Sequence, residues 1–174
     1  MTADEERFDE LYREHYALIE RYVRRRVDDP VVADVVAEIF TVAWRRIDEV
    51  PGADARLWLF GVGRNVVANH LRGSGRGYRL VEKVAANTAT VADDHADAVA
   101  ERLTVAAAFD RLRPVDQEVL RLIVWEGLTL RQAAAVLDCG VPAVAMRVNR
   151  ARHRLRRGLA HEPATATTDL TTRG

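Results

Sequence analysis

The groups best suited to chemistry are guanidiniums gathered in one stretch. VPAVAMRVNRARHRLRR, from Val141 to Arg157, carries Arg147, Arg150, Arg152, Arg154, Arg156 and Arg157 and no acidic residue. The 174-residue chain as a whole has 26 basic and 26 acidic residues and a formal net charge of zero. Lys83 is the only lysine, so nearly all positive charge is guanidinium. That group is a planar donor that fits phosphate oxygens and the O6 and N7 acceptors of guanine. Acids outnumber bases up to Arg72, and bases lead strongly from Glu101 to Ala160. The distribution of charge, not its sum, therefore points to the partners.

Other chemistries find little support. His15, His70, His95, His153 and His161 are scattered. There is no P-loop, G-x-S-x-G or H-E-x-x-H pattern. Cys139 is the only cysteine, which excludes an internal disulfide and a Cys-cluster zinc site. No catalytic residue, metal or cofactor is expected, and the chain reads as a non-enzyme. No run of eighteen apolar residues marks a membrane span. The acidic start MTADEERFDE lacks an apolar signal core, so a cytoplasmic setting is expected.

The elements that must position the arginines all have helical spacing. Phe8, Leu11, Tyr12, His15, Ile19, Tyr22, Val23 and Val27 form one stripe. Asp28-Asp29-Pro30 ends that helix. A second runs from about Val31 to Ile47, with Val32, Val35, Val36, Ile39, Ala43 and Trp44 on its apolar side. Val50-Pro51-Gly52 breaks it. A third begins near Ala53 and reaches about Leu71. Gly61 and Gly63 cost it helix propensity, which close packing against a neighbouring helix explains. RGSGRG, from Arg72 to Gly77, breaks the pattern, and residues 73–100 read as a linker.

The second half is again helical: Glu101 to Leu112, then Pro114 opening VDQEVLRLIVWE, with Gly127 as the stop. Thr129 and Gln132 make a capping box, with Leu128 as the preceding staple residue. Leu130, Ala133, Ala134 and Leu137 form the inner face of the helix so capped. Gly140 supplies the turn. A short capped helix, a turn and a long basic helix make a helix-turn-helix. On the basic helix Val141, Val144, Val148, Ala151 and Leu155 point inward, and Met146 and His153 point most directly outward. Met146, Arg147, Asn149 and Arg150 lie where base edges are read, and Arg154 and later arginines where phosphates are met. A solvated basic face is the plain alternative; the capped helix, turn and apolar stripe together favour DNA.

LRPVDQEVLRLIVWEGLTLRQAAAVLDCGVPAVAMRVNRARHRLRRGL resembles region 4 of the extracytoplasmic-function (ECF) sigma factors, the small members of the bacterial sigma-70 family. VADVVAEIFTVAWRRID resembles their region 2.2, and ARLWLFGVGRNVVANHLR their regions 2.3 and 2.4. The three segments come in the family's order and together span most of residues 7–160. The resemblance implies an all-α protein of two small helical domains. Region 2 would occupy residues 1–72, the linker 73–100, region 4 residues 101–160, and a disordered tail 161–174.

What the family does then becomes the expectation. Such a protein binds core RNA polymerase and directs it to promoters. Asp34 and Glu38 match acidic positions that meet the β′ clamp helices, and region 4 would meet the β flap. Glu49 to Ala55 matches the loop that captures a flipped −10 base. Arg64, Asn65, Asn69 and Arg72 match positions facing −10 DNA. Trp58 matches an aromatic near the melting point, where stacking on a base and core packing both remain open; Phe60 reads as core. Gln132, Met146, Arg147, Asn149, Arg150 and Arg154 would serve the −35 element. An anti-sigma factor is a further implied partner. The chain departs from the common pattern at Ala37, Pro142, Ala145 and Met146. The rival reading is a stand-alone helix-turn-helix regulator, which leaves the acidic region 2.2 face without a purpose.

Overall fold

A computed structural model describes residues 2–73 and 104–160. The linker and tail expected from the sequence lie outside these residues, apart from Gly73. All regular structure among them is helical. α1 spans Ala3–Arg24, α2 Asp29–Arg45 and α3 Ala55–Gly73, with a 3-10 turn at Ile47–Glu49 between the last two. Residues 104–110 are the described part of α4. α5 spans Pro114–Leu120 and continues as a π-helical turn, Arg121–Trp125. α6 is Leu130–Leu137 and α7 is Val141–Ala160.

Two compact units result. In the first, α1, α2 and α3 pack together with residues 121–145. Its centre is the α1 stripe: Ile19, Tyr22, Val23 and Val27 are buried against Val35, Ile39, Leu59 and Phe60. Tyr22 and Phe60 stack with centroids 4.9 Å apart, so Phe60 is core. Gly63 is the close-packing glycine. A Cβ there would come within 3.0 Å of the Tyr22 ring and 3.3 Å of Ile39 Cδ1. Gly61 is not: nothing lies within 4 Å of its would-be Cβ, and it faces open space instead. Two predicted core residues also lie further out. Tyr12 is 40% and Trp44 43% exposed. Both belong to an aromatic cluster on one edge of α1 and α2, with Trp44 5.2 Å from Phe8 and Tyr12 4.8 Å from Phe40.

Helix ends follow local chemistry. Thr2 and Glu5 form a capping box at the start of α1, a signal the sequence carried unread. α1 ends at Arg24, earlier than the Asp28-Asp29-Pro30 stop suggests, and Val27 is buried beyond it. Pro30 sits in the first turn of α2, where its missing N–H is harmless.

The second unit pairs residues 104–120 with residues 146–160. Gln117 Nε2 donates to the carbonyls of Phe109, Asp110 and Leu112 at 3.1–3.3 Å, closing the end of α4. Ala108 lies against Gly158, where an added Cβ would stand 3.3 Å from Ala108 Cβ.

Candidate nucleic-acid interface

α3 carries one stripe at i, i+3, i+4 and i+7 spacing: Trp58, Gly61, Asn65, Asn69 and Arg72. Asn65, Asn69 and Arg72 are exposed, and Trp58 and Arg64 are half-buried. Arg72 donates to Asn69 Oδ1. The N-terminal end of the stripe opens onto a concavity of about 360 Å³. Arg46, Pro51, Asp54, Trp58, Gly61 and Asn65 line it together with Ala135 of α6. The 49–55 loop thus contributes Pro51 and Asp54 to the site, as its sequence position suggests. Gly61 keeps the floor open because it has no side chain.

The Arg46 guanidinium lies 5.4 Å from the Trp58 ring centroid, a cation–π arrangement. It also pairs with Glu49. That hydrogen bond holds the Glu49 carboxyl below the usual carboxylate range and raises Arg46 further. The rim of the concavity is therefore an aromatic ring flanked by a fixed cation. This suits a flat, electron-rich, anionic ligand such as an unpaired nucleotide.

The helix-turn-helix forms as its local signals require. Thr129 Oγ1 accepts from the Gln132 backbone N–H at 3.2 Å, and Gln132 Oε1 accepts from the Thr129 N–H at 2.9 Å. Ala133, Ala134 and Leu137 are buried, and so is Val136. Leu130 is 38% exposed, contrary to its predicted inner place. It is the first residue of α6, with little helix behind it to enclose it. The turn also differs. Its left-handed residue is Asp138 at φ 50°, not Gly140, and the Cys139 N–H reaches back to the Ala134 carbonyl at 3.1 Å. A short acidic side chain tolerates that conformation better than most residues. Gly127 takes the left-handed conformation that ends the π turn, at φ 66°.

On α7, Val144, Val148 and Ala151 are buried. Leu155 is half-buried, and Val141 is 40% exposed at the helix start. Met146, Asn149, Arg150, Arg152, His153, Arg156 and Arg157 are exposed, and Arg147 is half-buried. Arg150 lies along Met146, Nη2 to Sδ 3.9 Å. Arg154 stands apart. Its guanidinium is paired with Asp116, whose side chain is only 1% exposed and which also takes Arg113 at 3.2 Å. Arg154 is thus tied to a buried carboxylate of its own chain, so its phosphate role drops behind that of its neighbours. Gln132 is likewise occupied by its cap.

Asp34 and Glu38 are exposed four residues apart on α2, with Ala33, Ala37 and Thr41 exposed beside them. The face is acidic and otherwise small. Sequence reasoning missed a different cluster. Glu126 accepts from Arg26 at 3.1 Å and Arg25 at 3.2 Å, and Arg26 and Glu126 are each only 2% exposed at the side chain. The two residues are a hundred positions apart, and nothing local in the sequence signals their meeting.

Residues 11–77 match the family described as Sigma-70 region 2, and residues 102–155 match Sigma-70, region 4. The chain is 30% identical over 151 residues to the ECF RNA polymerase sigma factor SigL of Mycobacterium tuberculosis, covering 84% of this chain and 85% of that one. The chain belongs to the ECF sigma factors. This ECF sigma factor is also 32% identical over 136 residues to BldN of Streptomyces coelicolor; the match takes in 75% of the chain and spans about half (52%) of BldN's length. Among solved structures, CnrH in complex with the cytosolic domain of CnrY superposes with a TM-score of 0.62 at 26% identity, over 90% of this chain and 89% of that one. RpoE of Bartonella quintana, solved with the anti-sigma factor NepR, gives 0.61 at 21% identity, over 87% of this chain and 98% of that one; it shares the fold. No described helix of this sigma factor is long and apolar enough to cross a membrane.

Proposed function

We propose that this protein binds core RNA polymerase in the cytoplasm and gives it promoter specificity. In this reading α7 enters the major groove of a −35 element, with Met146, Arg147, Asn149 and Arg150 toward base edges and the exposed later arginines toward phosphates. The α3 stripe, with Trp58 and the 49–55 loop, takes the −10 element, and the concavity accepts an extruded base as the strands part. Extrusion costs a few kcal/mol of stacking, which ring stacking and the Arg46 cation offset. The acidic face of Asp34 and Glu38 meets the β′ clamp helices, and region 4 meets the β flap. Polymerisation itself belongs to the core enzyme, so this chain supplies no catalytic group. CnrH and Bartonella RpoE were solved with CnrY and NepR. A regulator of similar kind is proposed here.

One observation carries the reading. A single chain presents, in family order, an acidic α2 face, an exposed Asn/Arg stripe beside a concavity, and a basic recognition helix behind a capped α6. A stand-alone regulator uses only the last. The test is reconstitution with purified core polymerase on a library of genomic fragments, followed by mapping of transcript starts. Starts that share two upstream elements are expected. A complete lack of promoter-dependent transcripts would overturn the proposal.

A further inference from the structure

The first unit holds more than α1–α3: residues 121–145 pack within it. α6 lies along α3, and its Ala135 is a wall of the concavity that Trp58, Gly61 and Asn65 open onto. The attachment is polar and buried. Glu126 receives Arg25 and Arg26. Its backbone carbonyl accepts from Arg56 Nη2 at 2.6 Å, and Arg56 belongs to α3. Arg26 is itself held by the Tyr22 carbonyl at 2.8 Å and by the Tyr22 ring 3.6 Å away. Trp125 sits under Arg25 at 6.0 Å. The π turn Arg121–Trp125 delivers Glu126 to this spot: the Glu126 N–H bonds the Arg121 carbonyl, five residues back. A π turn inside a helix is a departure from regular geometry that is common at functional positions.

We propose that residues 121–137 are a built-in mask for the nucleic-acid face of α3, and that the Arg25–Arg26–Glu126 cluster is its clasp. The proposal rests on the reading of the α3 stripe as a DNA face. In the clasped chain a strand approaching Trp58 and Asn65 meets the α6 wall, so only the unclasped fraction is competent. Apparent affinity for single-stranded DNA then falls by that fraction. Docking on the polymerase, which draws regions 2 and 4 to separate surfaces in the proposed function, supplies the differential interaction that opens it.

The test uses the full chain carrying Cys139→Ser, Gly61→Cys and Ala135→Cys, with a short bismaleimide whose spacer is cleaved by reductant. Gly61 has room for a side chain. Efficient cross-linking of the free protein is expected. The cross-linked form should lose binding to a fluorescent −10-type single strand and promoter-dependent transcription with core, and regain both on reduction. Glu126→Arg in the same background should lower the cross-linking yield. In the otherwise native chain it should strengthen strand binding by about tenfold, while transcription with core persists. Arg25→Glu, at the more exposed end of the clasp, serves as a second opening variant, and combining it with Glu126→Arg should restore masking. Unchanged cross-linking and strand binding in folded opening variants would overturn the mask with the functional reading intact. Failure of the parent to support any promoter-dependent transcript would overturn that reading and the mask with it, leaving the clasp a packing contact.

Discussion

Arg147, Arg150 and Arg154 share one helix and different surroundings, so their removal should read out differently. Arg147→Ala or Arg150→Ala is expected to weaken −35 duplex binding by about 1–3 kcal/mol and relax sequence preference, measured by selection from randomised duplexes and by titration. Arg154→Ala should instead lower stability by about 1–2 kcal/mol, because it strips a partner from the buried Asp116 and leaves only Arg113. Chemical denaturation beside DNA titration separates the two effects. At the concavity, the Glu49 carboxyl is held low by Arg46. A folded-state pKa below the unfolded one means the pair contributes above the unfolded value and is lost as pH falls through the folded one. A carboxyl-detected NMR titration should therefore find Glu49 titrating below the exposed glutamates of α1, and Arg46→Ala should return it to their range.

At the scale of helices, two glycines two residues apart make opposite predictions. Gly61→Ala adds a methyl in open space and should stabilise by up to about 1 kcal/mol through helix propensity. Gly63→Ala meets the Tyr22 ring, which is fully buried and stacked on Phe60. The ring has nowhere to yield, and overpacking of about 1–3 kcal/mol outweighs the propensity gain. Thermal melts of the two variants should move in opposite directions. Sequence alone predicted one role for both residues. Helical phase puts them 200° apart on the wheel, but which side the neighbours occupy is decided by α1 and α2. The capping boxes are the converse case. Thr129 with Gln132, and Thr2 with Glu5, act within four residues, and each is readable wherever it is sought.

For the molecule as a whole, formal neutrality conceals two faces with separate duties. Replacing Asp34 and Glu38 with Arg should weaken core polymerase binding by about tenfold or more, since close charge pairs across interfaces couple by about 1.5 kcal/mol or more. Both side chains are exposed, so the melting temperature should stay put; anisotropy with labelled protein and core, beside a melt, tests both halves. Duplex binding through α7 should steepen with salt according to the phosphates it neutralises, whereas core binding through two carboxylates should vary less.

The order of helices, the helix-turn-helix and the inward set Val144, Val148 and Ala151 were determined by the sequence itself. Periodicity, caps and chain breakers act over a single turn or two, and a reader of residues sees them directly. The resemblance in three ordered segments extended that reading to a family. Tertiary structure alone decided that Arg26 meets Glu126, that Arg154 is taken by Asp116, that Asp138 rather than Gly140 turns left-handed, and that α6 walls the concavity of α3. The two ion pairs and the wall join residues 38 to 100 positions apart or set one helix beside another. Charge pairing is non-directional along a chain with so many arginines and acids; only burial, which belongs to the whole fold, selects one partner from the rest.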